Sequence, residues 1–248
     1  MVRPIFSEML RRFSVGDRVA WKNAQGSYAE QVAVPAAEAL AIPDGLSAEL
    51  ACAALLQGLT AHYLSHSTYP VQAGDEVLVH AAAGGVGLLL TQIVKLRGGR
   101  VTATTSGGEK AELARGAGAD EVIGYDEVPE NVFEVVYDGV GRDTFDRSLA
   151  ALKPRGMLAL YGAASGPVAP VELPRLNAKS LFLTRPTLVH YTLTREDLLE
   201  RARDLFGWIA DAKLDVRIGA RYPLEEARQA QEDLEARRTT GKLLLLLH

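Results

Sequence analysis

The chain has 248 residues, 48% hydrophobic and 23% charged, with a net charge of -4. That composition fits a globular chain with a full core and one large or two modest domains. It lacks the basic excess of a nucleic-acid binder, its apolar stretches are too short to span a bilayer, and no signal-peptide layout opens it, so a cytoplasmic location is the default expectation.

In chain order, Ser14–Trp21 and Gly26–Val34 read as short strands joined by a turn near Lys22–Gly26. Pro35 and Pro43 punctuate the next segment. Pro43-Asp-Gly-Leu-Ser47 is a loop ending in a candidate N-cap for the apolar helix that contains Leu50-Ala-Cys-Ala-Ala-Leu-Leu56. Cys52, the single cysteine, excludes an internal disulfide and a four-cysteine zinc site, and reads as a buried inert thiol. His62 and His66 stand four apart on this helix without an obvious third metal ligand, so no metal is expected.

Asp75–Gly87 is the most informative stretch. Val77, Leu78 and Val79 form the continuous apolar run of a parallel strand buried on both faces. The turn after it fits G-x-G-x-x-G with the first glycine replaced by Ala82, followed by Gly84 and Gly87. Gly84 lets backbone approach a pyrophosphate, and Gly87 lets helix pack closely on strand. A helix from about Gly85, apolar at Val86, Leu88–Leu90, Ile93 and Val94, aims its free N–H groups at the phosphates. An ordinary tight turn is the bland alternative, against which the flanking strand and helix weigh.

The alternation continues with a strand at Arg100–Thr104, a helix at Glu109–Arg115, and strands at Glu121–Ile123 and Glu134–Tyr137. A helix follows at Thr144–Leu152, with Asp143 as candidate N-cap, then strands at Met157–Tyr161 and Ser180–Leu183. Arg195–Ala212 is a long amphipathic helix with Thr194 as candidate N-cap. This order predicts an α/β, Rossmann-type, doubly wound parallel sheet. A β-like stretch at Val216–Ala220, a charged helix at Leu224–Arg237 and a strand at Lys242–Leu247 close the chain. The two ends then form a small β-rich domain that the nucleotide domain interrupts. His248, after five leucines, reads as an extraneous terminal residue.

The second strand ends in Thr104, Thr105, Ser106, Gly107 and Gly108, with no carboxylate before Glu109. An NAD site places an acid there, about 20 residues past the turn. Ser106 and Lys110 instead supply the hydroxyl and cation that a 2′-phosphate needs, which favours NADPH over NADH. A polar loop with an unremarkable lysine is the alternative.

Several segments together resemble the zinc-independent quinone oxidoreductases, the ζ-crystallin-like branch of the medium-chain dehydrogenase/reductase superfamily. They are Val15-Gly-Asp-Arg-Val-Ala20, Leu55-Leu-Gln-Gly-Leu-Thr-Ala-His-Tyr-Leu64, Val79–Gly87, Gly116-Ala-Gly-Ala-Asp-Glu-Val-Ile123, Val136-Tyr-Asp-Gly-Val-Gly141, Leu152-Lys-Pro-Arg-Gly156, Gly162-Ala-Ala-Ser-Gly-Pro167, Thr184-Arg-Pro-Thr-Leu188 and Thr239-Thr-Gly-Lys242. The resemblance implies NADPH-dependent reduction of a quinone by hydride from the nicotinamide. It puts Gly84, Gly85, Val86 and Gly87 on the pyrophosphate, and Ser106, Lys110 and Tyr125 on the 2′-phosphate. Gly139 and Val140 fall on the adenosine side and Thr60 near the nicotinamide. Gly162, Ser165, Phe182 and Thr184 line the nicotinamide end, and Lys242 reaches the cofactor from the returning tail. Tyr125 and Phe182 also have plain readings as packing residues.

The family also implies a partial GroES-like domain at 1–50, the Rossmann domain at 51–213, and a return to the first domain at 214–248. It implies a homodimer joined across the Ser180–Arg185 edge. Two departures stand out. Met1–Arg12 does not resemble the family's long N-terminal portion, so the recognisable sequence begins partway through the substrate domain. Between Tyr125 and Glu134, where relatives carry a helix, only a short loop fits. Tyr63 and Tyr161 are candidate proton donors. The competing functions are a catalytically impaired NADPH-binding remnant or scaffold and a reductase of α,β-unsaturated carbonyls.

Overall fold

The structure, a computed structural model, describes residues 13–236 and 238–247. Met1–Arg12 and His248 lie outside the described residues, as does Arg237 at the end of the expected charged helix.

Six parallel strands form the central sheet in the order β5-β4-β3-β6-β7-β8. They are β3 (Glu76–Val79), β4 (Arg100–Thr104), β5 (Glu121–Ile123), β6 (Phe133–Asp138), β7 (Leu152–Leu160) and β8 (Phe182–Thr184). Alternation along each strand divides the core in two. Val77, Val79, Val101, Ala103, Val135 and Tyr137 face α1 (Ala48–Tyr63), α2 (Gly85–Leu96) and α6 (Arg195–Ala210). Leu78, Phe133, Val136 and Leu158 pack with Phe145 and Leu149 of α4 (Phe145–Ala151) on the other face. Strands buried on both faces need the continuous apolar runs seen in the sequence. α3 (Glu109–Gly116) joins β4 to β5, and a single tight turn at Tyr125–Glu127 replaces a helix between β5 and β6.

Helix starts follow local chemistry. The Ser47 hydroxyl accepts the Leu50 N–H at 3.1 Å, and Thr194 with Asp197 forms a reciprocal capping box. Asp143 is not the cap of α4. Thr144 holds that position, and its hydroxyl donates to Asp138 Oδ2 at 2.7 Å, while Asp143 pairs with Arg142.

Four further expectations are corrected. Gly26–Val34 forms no strand and none of its residues is buried. The short β1 (Val19–Ala20) pairs instead with β2 (Leu40–Ala41), which brings the buried Leu40 into the core. Cys52 is exposed, because α1 is apolar almost all round and buries Ala51, Ala54 and Leu55 instead. The β-like stretch lies later than Val216, as β9 (Ile218–Pro223), parallel to β10 (Lys242–Leu246). A tight turn at Leu224–Glu226 precedes α7 (Ala227–Glu235), so that helix is shorter than its charge pattern suggests. The remaining helix, α5 (Pro174–Asn177), is a single turn before β8.

Candidate dinucleotide site

The loops at the carboxyl ends of β3 and its neighbours β4 and β6 form the site, where an open α/β sheet has its crevice. Backbone bonds tie the turn after β3 to both neighbours: His80 N–H to Tyr137 O at 3.0 Å and Ala82 N–H to Thr104 O at 3.1 Å. Ala81 takes a left-handed φ of 51°. A methyl on Gly87 would lie 2.5 Å from Ala81 O and 2.7 Å from Ala82 Cα, so only glycine lets α2 start this close to the turn. Leu88 N–H bonds Gly84 O at 2.9 Å, which leaves the first-turn N–H groups of Gly85, Val86 and Gly87 at the helix's positive end. The Gln57 side chain covers Gly85 from α1.

The chain's tail returns to this turn. Gly241, with φ of 67°, bridges Gly84 in parallel, so Lys242 follows directly beside the phosphate-type turn. A methyl on Gly241 would meet Arg217 O at 2.5 Å.

A cavity of about 550 Å³ opens over the turn. Gly84, Ser106, Lys110, Tyr125 and Val140 line it together, with Ala81, Thr144, Arg147 and Thr239. A broader hollow of about 820 Å³ adjoins it past Ser106 and Tyr125, walled by Gly107, Gly108 and Arg115. Carboxylates near the β4 end are paired: Asp126 with Arg147, and Glu109 with Arg217 at 3.2 Å. Arg147 Nη1 also donates to Tyr125 O at 3.2 Å, placing a second cation beside Lys110's cavity.

Gly139 and Gly162 touch, since a methyl on Gly162 would lie 2.3 Å from Gly139 O. Ser165 Oγ donates to Val140 O at 2.9 Å and accepts Asp143 N–H at 3.0 Å, so it braces the loop after β6 from behind. Gly85, Val86, Gly87, Gly139, Gly162, Ser165 and Lys242 stand around the cavity without lining it, and Thr60, Phe182 and Thr184 do not line it either. Thr60 bonds its own helix at Leu56 O (2.8 Å), and Phe182 and Thr184 lie on the edge strand, Phe182 57% exposed.

Residue-by-residue reading missed Asp138, fully buried at the end of β6. Its Oδ1 accepts the N–H groups of Val140 (2.8 Å) and Gly141 (3.0 Å), and its Oδ2 the hydroxyls of Thr144 and Ser148 (2.8 Å). The signal was there: an acid closing an apolar strand run is buried only where donors satisfy it. Arg147 carried no such signal, since its spacing suits an exposed helix face.

The candidate proton donors are poor acids. Burial pushes Tyr63 up to about 12, with its ring stacked 4.3 Å from Tyr191. Burial, then Asp138, raises Tyr161 further. His62 stacks 4.1 Å from His66 and bonds Asp204 at 2.9 Å. Among the described residues, no three His, Cys, Asp or Glu side chains could hold a metal.

A family described as zinc-binding dehydrogenase matches residues 117–245. A quinone oxidoreductase from Pseudomonas aeruginosa is 44% identical, over 99% of this chain and 79% of its own length. A mycobacterial protein solved with NADPH superposes with a TM-score of 0.90 at 51% identity, covering 94% of this chain and 75% of its own. The Escherichia coli quinone oxidoreductase solved with NADPH also gives a TM-score of 0.90, at 40% identity over 96% of this chain and 77% of its own. The chain therefore belongs to the quinone oxidoreductases of the medium-chain dehydrogenase/reductase superfamily.

Proposed function

We propose that the protein is an NADPH-dependent quinone oxidoreductase, and that the cavity over the β3–α2 turn receives the adenosine and phosphate end of the cofactor. The observation that carries this reading is the meeting of Ser106, Lys110 and Tyr125 in one cavity with Gly84, while Asp126 and Glu109 nearby are paired with arginines. Those pairs lessen the repulsion a 2′-phosphate would otherwise meet.

The residues fit the group. Gly84 presents backbone without a side chain at the cavity wall, and α2 brings its positive end to the same place. Gly85, Val86 and Gly87 would hold the pyrophosphate, and Ser106, Lys110 and Tyr125 the 2′-phosphate. Gly139 and Val140 would flank the adenosine. Gly162, Ser165, Thr184, Phe182 and Thr60 would form the nicotinamide end, and Lys242 would approach from the tail. NADPH, when bound, supplies a hydride. The chain's share is to hold donor and flat acceptor face to face and to exclude water. Burial keeps Tyr63 and Tyr161 protonated and weak as acids, which favours solvent over either tyrosine as the proton source for the reduced acceptor.

We further infer a homodimer joined along β8 and a cytoplasmic setting. An exposed Phe182 on an open sheet edge supports the pairing, since such edges otherwise invite aggregation. No described helix is long and apolar enough to cross a membrane.

The test is NADPH oxidation with 1,4-benzoquinone and 9,10-phenanthrenequinone, alongside an α,β-unsaturated ketone. Turnover with the quinones is expected. Faster turnover of the ketone would move the assignment to enone reduction, and tight NADPH binding without turnover of any acceptor would overturn catalysis.

A further inference from the structure

His80, the first residue after β3, has no exposed surface and does not line the cavity, yet side chains from three separate segments meet its ring. Nδ1 lies 2.8 Å from Thr104 Oγ1 at the end of β4. Nε2 lies 3.0 Å from Ser148 Oγ on α4. Its ring stacks on that of Tyr125, with centroids 5.9 Å apart and planes 14° from parallel. Through Ser148 it reaches Asp138, whose carboxylate organises the Val140–Thr144 loop.

Hydrogen-bond counting gives this chain a direction. A hydroxyl has one proton, and Ser148 gives its own to Asp138 Oδ2. Nε2 must then donate to Ser148, so a neutral His80 is protonated on Nε2 and accepts from the Thr104 hydroxyl at Nδ1. The sequence of donors runs Thr104 to His80 to Ser148 to Asp138. Burial lowers His80 to about 4, more than Asp138 raises it, which keeps the ring neutral near pH 7.

We propose that His80, as the Nε2–H tautomer, is a positioning residue for the dinucleotide: it fixes the distance between the loop after β4, Tyr125 and the loop after β6. This rests on the NADPH reading, in which Ser106, Tyr125 and Val140 contact the adenosine 2′-phosphate and ribose. His80 touches none of the ligand. It sets where the residues that do touch it can stand.

Long-range ¹H–¹⁵N spectra of histidine-labelled protein between pH 6 and 8 test the tautomer without any cofactor. A neutral ring with hydrogen on Nε2 is expected, and an Nδ1–H or doubly protonated ring overturns the proposal. His80→Leu should lower NADPH affinity about tenfold while kcat at saturating NADPH stays within about twofold, and His80→Gln, whose amide can reach Ser148, should recover most of the loss. Amide exchange should quicken at 105–110 and 139–144 in His80→Leu relative to wild type, with or without NADPH. A folded His80→Leu protein with wild-type NADPH affinity and loop exchange refutes the positioning role. If His80→Leu does not fold, the glutamine variant and the wild-type spectra decide. If wild type itself fails to bind NADPH, the assignment of the cofactor falls, and the tautomer and exchange results still judge His80.

Discussion

In the NADPH reading proposed above, Lys110 is the residue on which cofactor choice would turn. It stands in the first turn of α3 on the wall of the cavity it shares with Ser106 and Tyr125. Lys110→Glu should weaken NADPH by roughly 1–3 kcal/mol, the scale of a lost charged hydrogen bond, and weaken NADH far less. Fluorescence titration of both cofactors checks this, and equal losses would remove Lys110 from 2′-phosphate recognition. Arg147→Ala is the companion case. It releases Asp126 at the same wall, so NADPH should again suffer more than NADH. The contrast between these residues shows what a sequence can carry. That Ser106 and Lys110 face one cavity was readable, because a β4 end without an acid is a local pattern. Arg147 and Gln57 reach the site from helices distant in sequence, and only packing brings them there. Cys52 was misplaced for a related reason: on a helix apolar nearly all round, periodicity does not choose the buried side.

Among the elements, the β3–α2 unit is the most tightly specified. Gly87→Ala would drive a methyl into Ala81 O and Ala82 Cα, both backbone, which cannot swing aside as a side chain can. The helix must then lift from the turn, and NADPH binding should be lost with a thermal destabilisation of about 2 kcal/mol or more. For the melts without NADPH, Gly85→Ala is the control on stability alone, because the nearest atoms to its methyl are the flexible end of Gln57. Thermal melts with and without NADPH separate the two. If Gly87→Ala binds normally, close packing at the turn is not what the glycine serves. Parallel strands and their crossovers were legible because burial on both faces writes a continuous apolar run. The outer strands were not. Gly26–Val34 alternates like a strand yet lacks a partner, since β1 spends its edge on β2. A two-residue ladder such as β1–β2 leaves no period to read.

At the scale of the whole molecule, the buried histidines make folding sensitive to mild acid. Burial lowers His80 and His66 from 6.5 to about 4, and lowers His62 as well, against its bond to Asp204. His66 is lowered further by the neighbouring His62. In the unfolded chain each titrates near 6.5, so between pH 6.5 and 4 the unfolded state binds more protons than the folded one. Stability is therefore full above about pH 6.5 and falls as pH drops toward 4, by up to about 1.4 kcal/mol per pH unit for each histidine kept neutral. The lowered carboxyls of Asp120 and Asp197 begin to lose their contribution only below about pH 5, so they add little to the decline above that. Urea midpoints at pH 7.5, 5.5 and 4.5 should decline steadily, and His80→Gln should make that decline shallower by one histidine's share. Because His80 joins β4, α4 and Tyr125 while His62 on α1 and His66 just after it meet Trp208 of α6, the two groups load different faces of the sheet. Removing His80 should thus leave the remaining slope intact, whereas a midpoint flat from pH 7.5 to 4.5 in wild type would mean that neither face holds its histidines neutral.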